Sequence, residues 1–128
     1  MKKLSKHITL VLCLMVLLSS CYNSKNSEQI IGKWKGTYIE NCPPTMRTSS
    51  VEIEFKEDKT FTAIITAPHE KPAMTSGTYV MQRYQLIFIN NRKERDIQKI
   101  EFISDAQFEG SFSNDRCNGT TKLRKVQQ

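Results

Sequence analysis

The amino-acid sequence predicts an all-β domain: a small antiparallel eight-stranded up-and-down barrel, with a β-sandwich as the alternative. Three observations carry this expectation. From Ile30 onward apolar residues recur with a period of two, and no segment shows a helical stripe. Turn-forming clusters interrupt the pattern at short intervals, leaving no room for the crossovers that parallel strands need. Finally, Cys42 follows the first run and Cys117 precedes the last, so closing a meander by pairing its ends brings the two thiols together.

The first element is not part of the domain. Lys2, Lys3 and Lys6 form a basic start, residues 8–18 are apolar apart from Thr9, and small residues Ser19 and Ser20 precede Cys21. That layout is a secretory signal segment, residues 1–20. Its eleven apolar-core residues would rise only about 16 Å as a helix, too short to span a bilayer. Leu18-Ser19-Ser20-Cys21 resembles the lipobox of bacterial lipoproteins, in which the cysteine is acylated and becomes the new N-terminus. The resemblance implies an exported protein in the cell envelope, held on a membrane by lipid on Cys21. Tyr22 follows, where Asp would favour inner-membrane retention by the enteric sorting rule, so the expected location is the outer membrane. Residues 21–29 are polar after the cysteine and read as a flexible tether, and residues 30–128 form the domain.

The strands follow in order. Trp34, Gly36 and Tyr38 alternate with Lys33, Lys35 and Thr37 in the first. Val51, Ile53 and Phe55 alternate with Glu52 and Glu54 in the second, and Lys56-Glu57-Asp58-Lys59 turns the chain. Phe61, Ala63 and Ile65 mark the third strand; Gly77, Tyr79 and Met81 mark the fourth. After a tight turn near Arg83 come Leu86 and Phe88, then a polar loop over residues 90–95. Ile100 and Phe102 mark the sixth strand, Phe108, Gly110 and Phe112 the seventh, and residues 118–126 around Leu123 the last. Asn118-Gly119-Thr120 fits a glycosylation sequon but reads here as a turn before that strand.

Once the signal is removed, three of the 19 basic residues leave with it and 16 remain against 13 acidic ones, a net charge of +3. That modest excess, together with export, argues against a nucleic-acid partner. Of the four cysteines, Cys13 is discarded and Cys21 acylated, so Cys42 and Cys117 are expected to form one disulfide in an oxidising compartment. Two thiols and the isolated His69 are too few for a closed zinc site, and no metal is expected.

Gly32-Lys33-Trp34 at the start of the first strand resembles the signature of lipocalins and the wider calycin group. The segments around Phe55 to Phe61 and Ser76 to Leu86 are similar to short bacterial lipocalin-like lipoproteins. The resemblance implies that Trp34 plugs one end of the barrel beneath a basic residue from the last strand. Arg124 and Lys125 are the candidates; Arg is preferred for its stacking, although Lys125 shares the parity of Leu123, so the expected barrel-end set is Gly32, Trp34 and Arg124. Trp34 is the single tryptophan, which argues against an avidin-type biotin site.

Two functions follow. The family implies a cavity for a small apolar ligand, and Ala63, Gly77 and Gly110 leave space for one. Against this, Trp34, Tyr38, Phe55, Phe61, Tyr79, Phe88, Phe102, Phe108 and Phe112 all fall in the inward phase, and small barrels can be filled by side chains. A filled barrel would act through its surface, as an interaction module or inhibitor of an envelope protein. Ile64, Val80, Ile87 and Ile89 fall in the outward phase, either as one apolar patch or, the favoured alternative, as scattered exposed hydrophobes, and Ser76-Gly77-Thr78-Tyr79 is faintly similar to a loop motif of lipid-anchored lysozyme inhibitors. No enzyme is expected: there is no nucleophile elbow, metal cluster or phosphate-binding glycine loop, and no catalytic residue or cofactor is assigned. Glu52 and Glu54 read as solvated charges, and Arg92-Lys93-Glu94-Arg95 as a charged hairpin loop.

Overall fold

In the computed structural model, which describes residues 27–127, eight strands close into one antiparallel barrel in simple meander order. The signal segment, the acylation site Cys21 and tether residues up to 26 lie outside the described residues. The strands are β1 (Gly32–Cys42), β2 (Thr45–Phe55), β3 (Thr60–Thr66), β4 (Ala73–Gln82), β5 (Gln85–Asn90), β6 (Arg95–Ser104), β7 (Gln107–Ser113) and β8 (Asn118–Lys125). Pairing of β1 with β8, from Trp34 opposite Lys125 to Asn41 opposite Asn118, closes the sheet and rules out the sandwich. Closure satisfies the backbone groups that an open sheet would leave at two edges.

The period-two pattern sets which residues enter the core. Val51, Ile53 and Phe55 are buried, whereas Glu52 and Glu54 between them face outward against Lys35 and Lys33, with N–O separations of 3.2 and 3.7 Å. Phe61, Ala63, Tyr79, Met81, Leu86, Ile100, Phe108 and Leu123 complete the buried set from the other strands. Aromatic edges lock its lower half: Trp34 meets Phe108 at 4.7 Å between ring centroids, and Phe55 meets Tyr79 at 5.0 Å. The Tyr79 hydroxyl donates to the Lys56 carbonyl at 2.8 Å, which ties β4 to the β2–β3 turn. In that turn Lys59 takes a left-handed φ of 68°, where the sequence lacks the glycine a hairpin prefers.

Several boundaries differ from expectation for local reasons. Residues 27–30, assigned to the tether and the domain start, form a helical turn at the barrel end; Ile30 is fully buried and accepts a 2.7 Å bond from Trp34 Nε1. Strand β2 begins at Thr45 because the first hairpin turns through Pro43 and Pro44 alone, so Cys42 ends β1 instead of following it. The polar loop shrinks to residues 91–94, since Asn90 and Arg95 already pair in the sheet region of β4–β5 and β5–β6. Asn118, Gly119 and Thr120 lie within β8; the turn before it is built by Asn114, whose Oδ1 accepts from the amides of Arg116 and Cys117.

Candidate functional site

The barrel has a closed end and an open end, and the chain's first described residues cover the closed one. Trp34 is fully buried there, beneath Lys125, whose Nζ sits 5.5 Å from the indole centroid. Arg124 is therefore not the capping residue. Alternation decides the matter: Thr121 and Leu123 face inward, so Lys125 does too, and Arg124 is exposed opposite Lys35 and Gln107. Gly32 fits the arrangement on two counts. Its φ is +130°, and a Cβ there would meet Lys125 Cε at 2.9 Å.

Above this plug the barrel is not filled. A cavity of about 310 Å³ opens between the inward faces of the strands, at the small end of the range for ligand pockets. Its walls differ. On β2, β3 and β5 they are apolar apart from Asn90, formed by Val51, Ile53, Ala63, Ile65, Leu86 and Phe88. On β1, β6 and β8 they carry Tyr38, Asp96, Gln98 and Thr121. The expected aromatics do point inward, but most crowd the closed half, where Phe55, Tyr79, Phe108 and Trp34 pack on one another. Aromatic number alone was a poor guide to filling, because their distribution along the barrel axis is uneven.

The small residues also act differently from one another. Ala63 lines the cavity, as expected. Gly77 leaves no space, since a Cβ there would strike the backbone of Ile89 and Asn90 on β5. The room at Gly110 is taken by the Gln98 amide, whose Oε1 lies 2.5 Å from where a Cβ would stand. That placement connects three polar side chains. Thr121 Oγ1 donates to Gln98 Oε1 at 3.4 Å, and Gln98 Nε2 donates to Asp96 Oδ2 at 3.2 Å. Across the same wall Tyr38 donates its hydroxyl proton to Glu40 Oε2 at 3.3 Å. Burial, then the nearby Glu40 carboxylate and more weakly Asp96, hold the Tyr38 phenol well above its ordinary range, so it remains a donor.

The rim is built from the loop between β5 and β6. Asn90 Oδ1 accepts from the amides of Arg92 and Glu94 at 3.0 Å each, and Asn91 Nδ2 donates to Ser76 Oγ at 2.8 Å. Glu94 and Arg95 of the expected charged loop thereby reach the cavity edge. Sequence reading did not single out Asp96, Gln98 or Thr121. Counting back by twos from Ile100 on β6, and from Leu123 on β8, would have found all three.

Cys42 and Cys117 are joined by a disulfide near the open end, with Cα atoms 4.3 Å apart. Glu40 Oε1 lies 3.0 Å from Cys42 Sγ. With the sulfurs bonded to each other there is no thiolate to offer a metal, so Glu40, Cys42 and Cys117 do not make a metal site.

No protein-family profile and no curated protein matches the chain. Solved structures do resemble it. A de novo designed fluorescence-activating β-barrel superposes with a TM-score of 0.50 at 12% identity, covering 78% of this chain and 96% of its own. A redesigned β-barrel superposes with a TM-score of 0.53 at 11% identity, covering 79% and 95%. The fold is an eight-stranded up-and-down β-barrel. At such identities the likeness concerns the fold alone.

The outer face of this barrel departs from the one-patch reading. Val80, Ile87 and Ile97 form one cross-strand row on β4, β5 and β6, with Ile89 one step nearer the rim. Ile87 is only 8% exposed because its neighbours flank it, while Val80 and Ile97 are 41% and 48% exposed. Ile64 is not part of this row. It pairs with Met74, six residues along β4 from Val80 and so about 20 Å away. Ser76-Gly77-Thr78-Tyr79, faintly similar to an inhibitor loop motif, lies inside β4, the fourth strand that Gly77 and Tyr79 are expected to mark.

Proposed function

We propose that this chain is an exported, lipid-anchored barrel of the lipocalin-like kind that binds a small, largely apolar molecule in its cavity. The observation that carries the reading is the 310 Å³ cavity above the Trp34 plug, open at one end and apolar over most of its wall. The Gly32, Trp34 and Lys125 arrangement supports the family resemblance, with Lys125 in the role expected of a basic residue from the last strand. On this reading the protein is a binder and not an enzyme, and it needs no cofactor.

Lipidation at Cys21 would place the anchor at the closed end. Ser27 begins the described chain there, and six residues reach at most about 22 Å. The cavity mouth would then face away from the anchoring membrane, ready to take ligand from solution. Labelled palmitate should enter the unmodified protein and not Cys21→Ser.

The binding reading is tested by thermal melts of the purified chain with medium-chain fatty acids, monoterpenes and bicyclic aromatics. A hundredfold excess over Kd stabilises by about 2.7 kcal/mol through mass action. A panel that shifts nothing would count against it. A second reading, an envelope interaction module, draws on the exposed Val80–Ile87–Ile97 row. A partner that binds the unmodified chain but not Ile97→Lys, with the cavity blocked, would favour that reading.

A further inference from the structure

We propose that Gln98 is the recognition residue of this cavity, and that its ligand carries one uncharged hydroxyl on a compact apolar body. The inference rests on the reading of the cavity as a small-molecule site and names the chemistry of its occupant.

Position singles out Gln98. Along β6 the inward face passes from exposed Asp96 through half-buried Gln98 to buried Ile100. Gln98 is thus the last polar side chain on that face before the core, and its neighbour across the ladder is Leu86 of the apolar wall. The amide does not stand across the cavity. Gly110 on β7 has no Cβ, and Gln98 Oε1 lies 2.5 Å from where one would be. The amide therefore lies back against the wall, and the space in front of it stays open. Two bonds hold it there. Thr121, only 7% exposed, donates its hydroxyl to Oε1 at 3.4 Å, and Nε2 donates to Asp96 at 3.2 Å.

Those bonds use half of what the amide offers. A primary amide has two N–H groups and two lone pairs on its oxygen. Among the described residues Gln98 employs one of each, so one donor and one acceptor remain for an occupant. The neighbouring hydroxyls have already committed their protons, Thr121 to Gln98 and Tyr38 to Glu40. Below the rim, Gln98 is the group that can both give and take a further hydrogen bond. A hydroxyl matches it, since it also donates and accepts. An ion fits less well. The charged residues that line the cavity, Glu94, Arg95 and Asp96, are all exposed and carry both signs, so an ion drawn in beside Gln98 would lose its water without a buried counter-charge. Val51, Ile53, Ala63 and Ile65 offer no polar side chain, and that side receives the body.

The test dialyses four probes with one body against the purified full chain: 1-naphthalenemethanol, its apolar isostere 1-ethylnaphthalene, 1-naphthylmethylamine and 1-naphthoate. A hydroxyl buried without a partner would make the alcohol bind at least about tenfold more weakly than the ethyl compound. Held by Gln98, the alcohol is expected to bind at least as tightly as the ethyl compound, and more tightly than the amine or the acid. Gln98→Met, similar in shape but without the amide, should shift the alcohol-to-ethyl ratio by about tenfold toward the ethyl compound. Retained binding of the ethyl compound shows that the barrel of the variant is intact; if it is not, the order of the four probes on the unmodified chain decides alone. An alcohol tenfold weaker than its isostere, or tightest binding of the amine or the acid, would overturn the uncharged hydroxyl while leaving the cavity reading standing. An unchanged ratio in an intact Gln98→Met would overturn the role of Gln98. Binding of none of the four would overturn both readings.

Discussion

Replacing Ala63 by Leu separates an empty cavity from a packed core in one measurement. Ala63 is 5% exposed, sits between Ile53 and Thr75 on the neighbouring strands, and turns its methyl group into the cavity. The cavity's 310 Å³ corresponds to the liquid volume of about ten waters, so a leucine side chain can extend without displacing a neighbour. Burying the added carbons contributes about 2.4 kcal/mol at roughly 0.8 kcal/mol per methylene. Ordering the side chain takes back about 0.5–1 kcal/mol. The expected net gain is thus about 1.5 kcal/mol, or a rise in Tm of about 6–12 °C for a domain of this size. The assay is a pair of melts by calorimetry, with denaturant unfolding as the check on free energy. If the variant instead loses about 1–3 kcal/mol, the position is overpacked and the cavity argument is refuted. The same substitution should weaken any ligand of the cavity, because it fills the apolar end of the site.

Three further outcomes are expected. Lys125→Ala should cost about 1 kcal/mol and change the emission of Trp34, the sole tryptophan, whereas Arg124→Ala should stay within about 0.5 kcal/mol and leave it unchanged; equilibrium unfolding and fluorescence distinguish them. Cys42→Ser or Cys117→Ser opens a crosslink spanning 75 residues, worth about 4 kcal/mol by chain-entropy reasoning, and reducing the unmodified protein should give the same loss in urea. Tyr38 and Tyr79 both have phenols raised above their ordinary value, each chiefly by burial, with Glu40 acting next on Tyr38 and Asp58 on Tyr79. An unfolded tyrosine ionises near pH 10, so their contribution is complete below about pH 10 and lost as pH rises beyond it. Tyr38→Phe should flatten that alkaline decline in urea melts, and an unchanged slope would contradict the assignment.

Much of this protein was legible in its sequence because a closed barrel leaves a simple record. Each strand buries one face, so Val51, Ile53 and Phe55 against Glu52 and Glu54 announce both the strand and its orientation. Tyr79 and Leu86 bracket a hairpin for the same reason. Elements without that contrast were harder to see. The start of β2, from Thr45 to Ser50, carries almost only polar residues and extends past the core, so nothing in its pattern marks it as strand. Residues 27–30 read as tether because one buried side chain, Ile30, shows no period.

The sequence by itself determined the strand number and the inward set, because alternation and chain length constrain these directly, and it pointed to the meeting of Cys42 with Cys117; the choice of a closed meander over a sandwich was made by the pairing of β1 with β8. The sequence also determined that Trp34 begins the first strand. Only the tertiary structure decided where the inward side chains lie along the barrel axis. Register sets that height: it stacks Trp34, Phe55, Tyr79 and Phe108 toward one end and leaves a cavity above them. Register likewise separates Ile64 from Val80 on the outer face and brings Gln98 into the space beside Gly110. Alternation along one strand tells which face a residue occupies; its neighbours across the barrel are fixed only when all eight strands pair.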